Sequence, residues 1–173
     1  MRRRTSDLYL IALGSNVRHH RHGAPQRVLM AGVAALETAG VRVERVAPVI
    51  RSAPIGPSLR QYANGAALVR SDMSPPAMLA LLKRIERAFG RKRAQRWASR
   101  VLDLDIVLWG GGLWRAPDLQ VPHRLFRQRS FVLGPASAIA PNWRDPVTGF
   151  TLRQLNRRLT RAQTAPRDPQ PDA

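Results

Sequence analysis

The sequence predicts an α+β fold, a ferredoxin-like sandwich in which an antiparallel sheet has helices packed on it. Three observations lead there. Segments of alternating polarity and segments of helical spacing follow one another in the order β-α-β-β-α-β. Of the 173 residues 44% are hydrophobic, the content of a folded domain and not of a disordered chain. The sequence holds no run of about 18 apolar residues to cross a membrane, and a chain of this size can bury roughly 70% of its unfolded surface.

The first strand is Leu8–Leu13. Arg2-Arg3-Arg4 ahead of it resembles the start of a secretory signal, even a twin-arginine one. The apolar stretch, however, is shorter than the usual h-region of about seven or more residues and runs into Gly14-Ser15-Asn16, so strand is the better reading. A basic loop, Arg18–His22, leads to helical spacing over Pro25–Ala39 (Val28, Leu29, Val33, Leu36), closed by Gly40. Val41–Arg51 alternates and is rich in β-branched residues, which predicts one second strand, and proline and glycine fix the path of the following loop, Ser52 to Pro57. Tyr62–Val69 is the third strand. Ser74 then offers an N-cap and Pro75 a first helical position ahead of Met78, Leu79, Leu82, Ile85 and Phe89, with Gly90 as the stop. Val101–Trp109 alternates cleanly and ends at Gly110-Gly111-Gly112, read as a hairpin turn rather than a phosphate cradle. From Val121 to about Arg158 the pattern is helical but broken by Pro135, Pro141 and Pro146. One domain, 7–160, is expected, with 161–173 as a disordered tail containing Arg and Pro.

Charge and cysteine usage narrow the function. Lys and Arg number 29 against 11 Asp and Glu, a net charge of +18, and 27 of the 29 are Arg. Such a bias resembles G+C-rich coding and places Arg on solvated faces, whereas a nucleic-acid binder uses a focused basic stripe with interleaved aromatics. With aromatics at 6%, nucleic acid is not expected as a partner. The absence of Cys removes thiol catalysis, cysteine zinc sites and disulfides, and fits the cytoplasm. His19, His20 and His22 have no carboxylate or Cys beside them and are read as adventitious rather than as a metal site.

The chemistry lies in the last strand and the loop before it. In Leu102-Asp103-Leu104-Asp105-Ile106 a period of two sets the three apolar side chains on one face and both aspartates on the other. Two carboxylates on a rigid strand suit Mg²⁺, which takes one or two protein carboxylates while substrate phosphates and water complete its octahedron, and a two-ion version suits in-line displacement at phosphorus. An edge strand with solvated acids fits the same pattern. Arg91, Lys92, Arg93, Arg96 and Arg100 crowd the preceding loop, and arginine forks bind phosphate oxygens. Neither G-x-x-x-x-G-K-[ST] nor a helix-opening G-x-G-x-x-G is present, so a nucleotide needs another design. Tyr62 and Asn64 share a strand face, an aromatic plate beside an amide that could hold a flat heterocycle; core packing and a turn role are the alternatives. His123, Arg129 and Phe131 add a histidine, a cation and a ring, or simply a buried histidine and a core phenylalanine.

Taken in order, Leu13-Gly14-Ser15-Asn16, Pro54-Ile55-Gly56-Pro57 with Tyr62-Ala63-Asn64, Gly90-Arg91-Lys92-Arg93, the run from Arg96 and Trp97 through Arg100 to Asp103-Leu104-Asp105-Ile106, Val121-Pro122-His123, Arg129-Ser130-Phe131-Val132-Leu133 and Ile139-Ala140-Pro141 resemble hydroxymethyldihydropterin pyrophosphokinases. The resemblance runs from about Tyr9 to Leu155. It implies Mg²⁺-dependent transfer of pyrophosphate from ATP to the hydroxymethyl group of 6-hydroxymethyl-7,8-dihydropterin, releasing AMP, in folate biosynthesis. By the resemblance, Asp103 and Asp105 hold two Mg²⁺ ions, and Tyr62 and Phe131 sandwich the pterin while Asn64 reads its edge. Ser52, Pro54, Ile55, Gly56 and Trp97 complete the pterin pocket. Arg91 and Arg100 act on a mobile catalytic loop, and Glu86 (near the ribose), Arg93, Ile106, His123 and Arg129 contact ATP. The expected partners are these two substrates, the expected state a monomer, and no membrane is involved.

The chain departs from the family pattern at Trp97-Ala98-Ser99-Arg100, where Trp-Gly-Pro-Arg is usual, which alters the conformational range of a segment that has to close over substrate. Two other readings stand beside the enzyme: a paralogue with a different pterin or no activity, and a basic RNA-binding module of the same fold. The second would expose aromatics on its sheet, and release of AMP separates the enzyme from both.

Overall fold

β1 (Asp7–Ser15) is an inner strand, with Tyr9, Ile11 and Leu13 buried on one face and Leu10 on the other. In the computed structural model, which describes residues 7–52, 62–90 and 101–164, six further chain segments complete the main sheet and its first helical layer. These are α1 (Pro25–Thr38), β2 (Arg42–Val46), β3 (Ile50–Ser52), β4 (Tyr62–Ser71), α2 (Pro75–Ala88) and, closing the sheet, β5 (Asp103–Trp109). The strand order is β2-β4-β1-β5, with β3 also on β4, and every pairing is antiparallel. That is the ferredoxin-like sandwich.

Both helices of this half pack on one face. Val28, Leu29, Val33 and Leu36 of α1 and Met78, Leu81, Leu82 and Ile85 of α2 bury against Tyr9, Ile11, Leu13, Ala67, Leu104 and Ile106. Each such side chain contributes about 1.5–3 kcal/mol of transfer free energy, so this layer is the chief stabilising element. Gly32 matters to it, since a Cβ there would stand 3.0 Å from a Leu102 methyl; its absence lets the residue before Asp103 sink onto α1. Pro stands in the first turn of both helices, and Ser74 occupies the N-cap as expected. Its carbonyl, not its side chain, makes the cap hydrogen bond, from Met78 N–H at 2.9 Å. Gly40 and Gly90, at φ +86° and +90°, end the helices.

The second face is covered too. β6 (Trp114–Ala116) and β7 (Leu119–Val121) form a hairpin, a single 3-10 turn spans Phe126–Gln128, and α3 (Ser130–Ile139) and α4 (Leu152–Thr164) follow. Val132, Leu133 and Ala136 of α3 and Leu152 and Leu155 of α4 close a second core over Leu10, Ala66 and Leu108.

Three expectations need correction. The single strand Val41–Arg51 is two: β2 lies on one end of β4 and β3 on the other. Ala47 N–H still bonds Ala66 O at 2.8 Å, but Pro48 has no N–H to continue the ladder. Of the three prolines read as breaks, Pro135 sits buried inside α3 and does not end it. Finally, α4 is helical to Thr164, past the expected domain end at 160. The Gly110-Gly111-Gly112 turn forms as expected, with Gly112 N–H on Trp109 O at 3.0 Å.

Candidate active site

At one end of the sheet, on the α3 side, strand register assembles a row of side chains. Asp103 on β5 pairs with Gly14 on β1, Gly14 with Asn64 on β4, and Asn64 with Ile50 on β3. One row over, Asp105 pairs with Ala12 and Ala12 with Ala66, while Ser52 pairs with Tyr62. The alternation is fixed by the first core: Leu104, Ile106, Leu13 and Ala63 point into it, so the residues between them point the other way. Both aspartates are half-buried, Asn64 is buried, and the floor between them consists of the small residues Ala12 and Gly14.

Three contacts orient this row. Asn64 Nδ2 donates to Ser52 Oγ at 2.6 Å, which leaves the amide oxygen turned toward Gly14, where a Cβ would lie 3.6 Å from it. Leu104 N–H, between the two aspartates, donates to Glu86 Oε1 at 2.8 Å. Glu86 is fully buried on α2 and also takes Lys83 Nζ at 2.9 Å, so a charged helix residue holds the acid-bearing strand at its outer edge. His123 N–H bonds Val107 O at 3.0 Å, which ties the segment after β7 to the same strand.

His123 lies within the electrostatic reach of both acids. Burial pushes its pKa below the usual 6.5, Asp105 and Asp103 pull it up, and Arg129 and Arg124 push it down, with the net shift downward. Its Nδ1 accepts Leu125 N–H at 3.3 Å, so the neutral ring carries its proton on Nε2. Arg129 is the N-cap residue of α3, with Phe131 in the first turn and the Arg129 guanidinium carbon 5.8 Å from the Phe131 ring centroid. Helix start and arginine together favour an anion there.

The structure thus brings together Ser52, Tyr62, Asn64, Asp103 and Asp105 on one face of the sheet, and ties His123 to the same strand. It does not bring the side chains of Glu86 and Ile106 to this face; Ile106 is 3% exposed in the first core. Pro54, Ile55 and Gly56, and the loop residues Arg91, Arg93, Trp97 and Arg100, lie outside the described residues. The histidines of the first loop form a stack. His19 lies 4.3 Å from His20 and 4.7 Å from His22 between ring centroids, and His22 stacks on Phe89 at 5.0 Å. His19 Nδ1 is engaged by the N–H groups of Arg21 and His22, at 3.1 and 3.2 Å. No group of three or more His, Cys, Asp or Glu able to hold a metal occurs among the described residues.

Sequence reasoning missed the small floor, the Ser52–Asn64 bond and the work of Glu86. Only the strand period could have signalled the first; the others depend on which helix meets which strand.

Paired oxygen donors beside an amide, with an arginine-capped helix start on the same side, define an α+β enzyme equipped to handle phosphate groups. Comparison with known proteins makes this specific. The family model for 7,8-dihydro-6-hydroxymethylpterin-pyrophosphokinase (HPPK) matches residues 10–141, and the chain belongs to that family. A 2-amino-4-hydroxy-6-hydroxymethyldihydropteridine pyrophosphokinase of Synechocystis is 38% identical over 147 residues, covering 84% of this chain and 73% of its own. The Pseudomonas aeruginosa protein of the same name is also 38% identical, over 79% of this chain and 82% of its own. Among solved structures, a Plasmodium falciparum HPPK-DHPS triple mutant superposes with a TM-score of 0.70 at 13% identity, over 92% of this chain. This chain spans 45% of that longer one, and the likeness is one of fold.

Proposed function

We propose that this pyrophosphokinase transfers the β,γ-pyrophosphoryl group of ATP to the hydroxymethyl group of 6-hydroxymethyl-7,8-dihydropterin, a step of folate biosynthesis, and that the row on the α3 side of the sheet is where it does so. The hydroxymethyl oxygen forms a bond to the β-phosphorus. The bond from that phosphorus to the α,β-bridging oxygen breaks, AMP leaves with that oxygen, and the hydroxyl proton passes to solvent. No protein nucleophile is required, so positioning and charge stabilisation are what the chain supplies.

The carrying observation is the register Asp103–Gly14–Asn64, which sets an acid and an amide on either side of a floor of small residues. Asp103 and Asp105 are hard oxygen donors half open to solvent, the donor chemistry that Mg²⁺ takes from a protein, and they would hold it, two ions in our reading. Bound there, Mg²⁺ neutralises phosphate charge and fixes its orientation. Asn64 presents its oxygen to a ring donor, Tyr62 and Phe131 bracket the ring, and Ser52 keeps the amide turned. His123 Nε2–H and Arg129 donate to phosphate oxygens. Arg91 and Arg100 act on charge in the transition state, and Pro54, Ile55, Gly56, Trp97, Arg93, Glu86 and Ile106 keep the assignments given by resemblance. In this reading the chain works in the cytoplasm as a monomer; among the described residues no helix is long and apolar enough to cross a membrane.

Purified protein with Mg²⁺, ATP and the pterin should release AMP and pterin pyrophosphate in equal amounts, and neither without Mg²⁺. ADP in place of AMP would refute the reaction, and no turnover would favour the paralogue.

A further inference from the structure

We propose that the exposed face of α4 is a docking surface for single-stranded nucleic acid, separate from the pyrophosphokinase site. The starting point is where the carboxylates are not. From Leu119 to Thr164 the sequence carries eight arginines and one acid, Asp145, although the chain has 11 acids in all. Asp145 is fully buried and taken up by Arg127, at 2.7 Å. A coding bias toward arginine raises the cations everywhere but does not clear the acids from one layer.

Within that layer α4 concentrates the charge. Leu152 and Leu155 turn inward, and Arg153, Arg157, Arg158 and Arg161 are all exposed. Arg153, Arg157 and Arg161 stand four residues apart and form one row, with steps of about 6 Å along the axis. None of the four makes an ion pair among the described residues. Phe150, Gln154 and Arg158 line an open cleft together with Arg157 and Arg161 of the row. There the Arg158 guanidinium carbon sits 4.6 Å from the centroid of the Phe150 ring.

A regular row of cations beside an aromatic–guanidinium platform matches a ligand with charge at regular intervals and flat rings between the charges. A single nucleic-acid strand has both: phosphates for the row and unpaired bases for the platform. An acidic peptide offers no ring to the platform. A membrane surface wants an apolar helix face to bury, and that face of α4 is already committed to the second core.

The experiment is fluorescence anisotropy of a labelled twelve-nucleotide oligouridylate against the whole protein across a salt series. Binding of the parent at about 0.1 M salt is expected. Arg153→Gln, Arg157→Gln and Arg161→Gln combined should weaken it roughly tenfold or more and lower the salt slope by about 2, from about 0.7 for each phosphate contact removed. Arg84→Gln, Arg87→Gln and Arg115→Gln combined, exposed positions off this layer, remove the same charge and should retain most of the affinity. Arg158→Lys should weaken binding while keeping the salt slope, since it removes the plane and not the charge. AMP release by the α4 triple variant should equal the parent's, which keeps this test independent of the catalytic reading. No binding by the parent, equal losses in the two triple variants, or tighter binding to polyglutamate or anionic vesicles than to RNA would each overturn the proposal.

Discussion

A methyl group at position 14 would stand 3.6 Å from Asn64 Oδ1 and 3.9 Å from the Asp103 Cβ, so anything larger fills the space between amide and acid. The two aspartates are judged in that setting. Replacing either by Ala should lower Mg²⁺-dependent turnover by roughly 10² or more, the scale of losing one strong electrostatic stabiliser. Thermal melts should hardly move, because both side chains lie outside the apolar cores; initial rates near the parent's would remove Asp103 and Asp105 from the site. His123 gives a second residue-scale test. Burial, chiefly, holds its pKa below 6.5, so its contribution to stability is whole above pH 6.5 and is lost as the pH falls from there through the folded value. NMR titration of the His123 ring should give a midpoint below 6.5 in the free protein and a higher one with Mg²⁺ and α,β-methylene ATP, since phosphate charge favours the imidazolium. An unmoved midpoint would place the phosphates elsewhere. At this scale the sequence is most legible where the period of two decides: it separates Asp103 and Asp105 from Leu104 and sets Tyr62 with Asn64. It is silent on Glu86, whose buried bond to Leu104 N–H depends on how α2 meets β5.

Among the elements, the helices and strands of the first layer were readable because caps, glycine stops and alternation coincide there, as at Pro75 and Gly90. The split of the second strand was carried by a single residue, Pro48, in an otherwise alternating run. Pro135 misled in the opposite sense, since burial of Val132, Leu133 and Ala136 holds α3 together across it. The least legible element is the link from the 3-10 turn to α4. Asp145 accepts from Arg127 Nε and Nη2, both at 2.7 Å, from Thr148 Oγ1 at 2.6 Å and from Val147 N–H at 3.2 Å. The turn that carries Arg127 lies between His123 and Arg129, so this clamp also fixes the spacing of those two. Asp145→Ala should cost about 3 kcal/mol, the lower end of the range for breaking a buried pair, because Arg127 is 26% exposed. Burial alone would raise the Asp145 pKa, but the hydrogen bonds from Arg127, Thr148 and Val147 bring it below the ordinary 3.8. The stability it confers is therefore complete above pH 3.8 and is lost as the pH falls through the folded value. Urea melts from pH 7 to pH 2 should show the parent and Asp145→Ala converging at the acid end; parallel curves would mean that the carboxylate charge is not what stabilises the clamp.

For the whole molecule, the candidate site depends on two layers closing on one sheet. The first layer fixes the alternation of β1, β4 and β5 by burying Leu13, Ala63 and Leu104, and so turns the acids and the amide outward. The second supplies Arg129 and Phe131 on the start of α3. Neither layer alone makes a site, and ligand binding should stabilise the folded chain as a unit. At a ligand concentration of 100 Kd that stabilisation is about 2.7 kcal/mol, which for a chain of this size is about 5–10 °C in Tm. Mg²⁺ with α,β-methylene ATP should produce the first such shift and addition of the pterin a further one. Asp103→Ala should abolish the first, whereas Asn64→Ala should keep the first and lose the increment, because the proposed arrangement sets its amide against the ring and not the phosphates. If Asn64→Ala lost the nucleotide shift, or Asp103→Ala kept it, the division of the row into a phosphate end and a ring end would fail, and with it the direction in which the two substrates lie across β1.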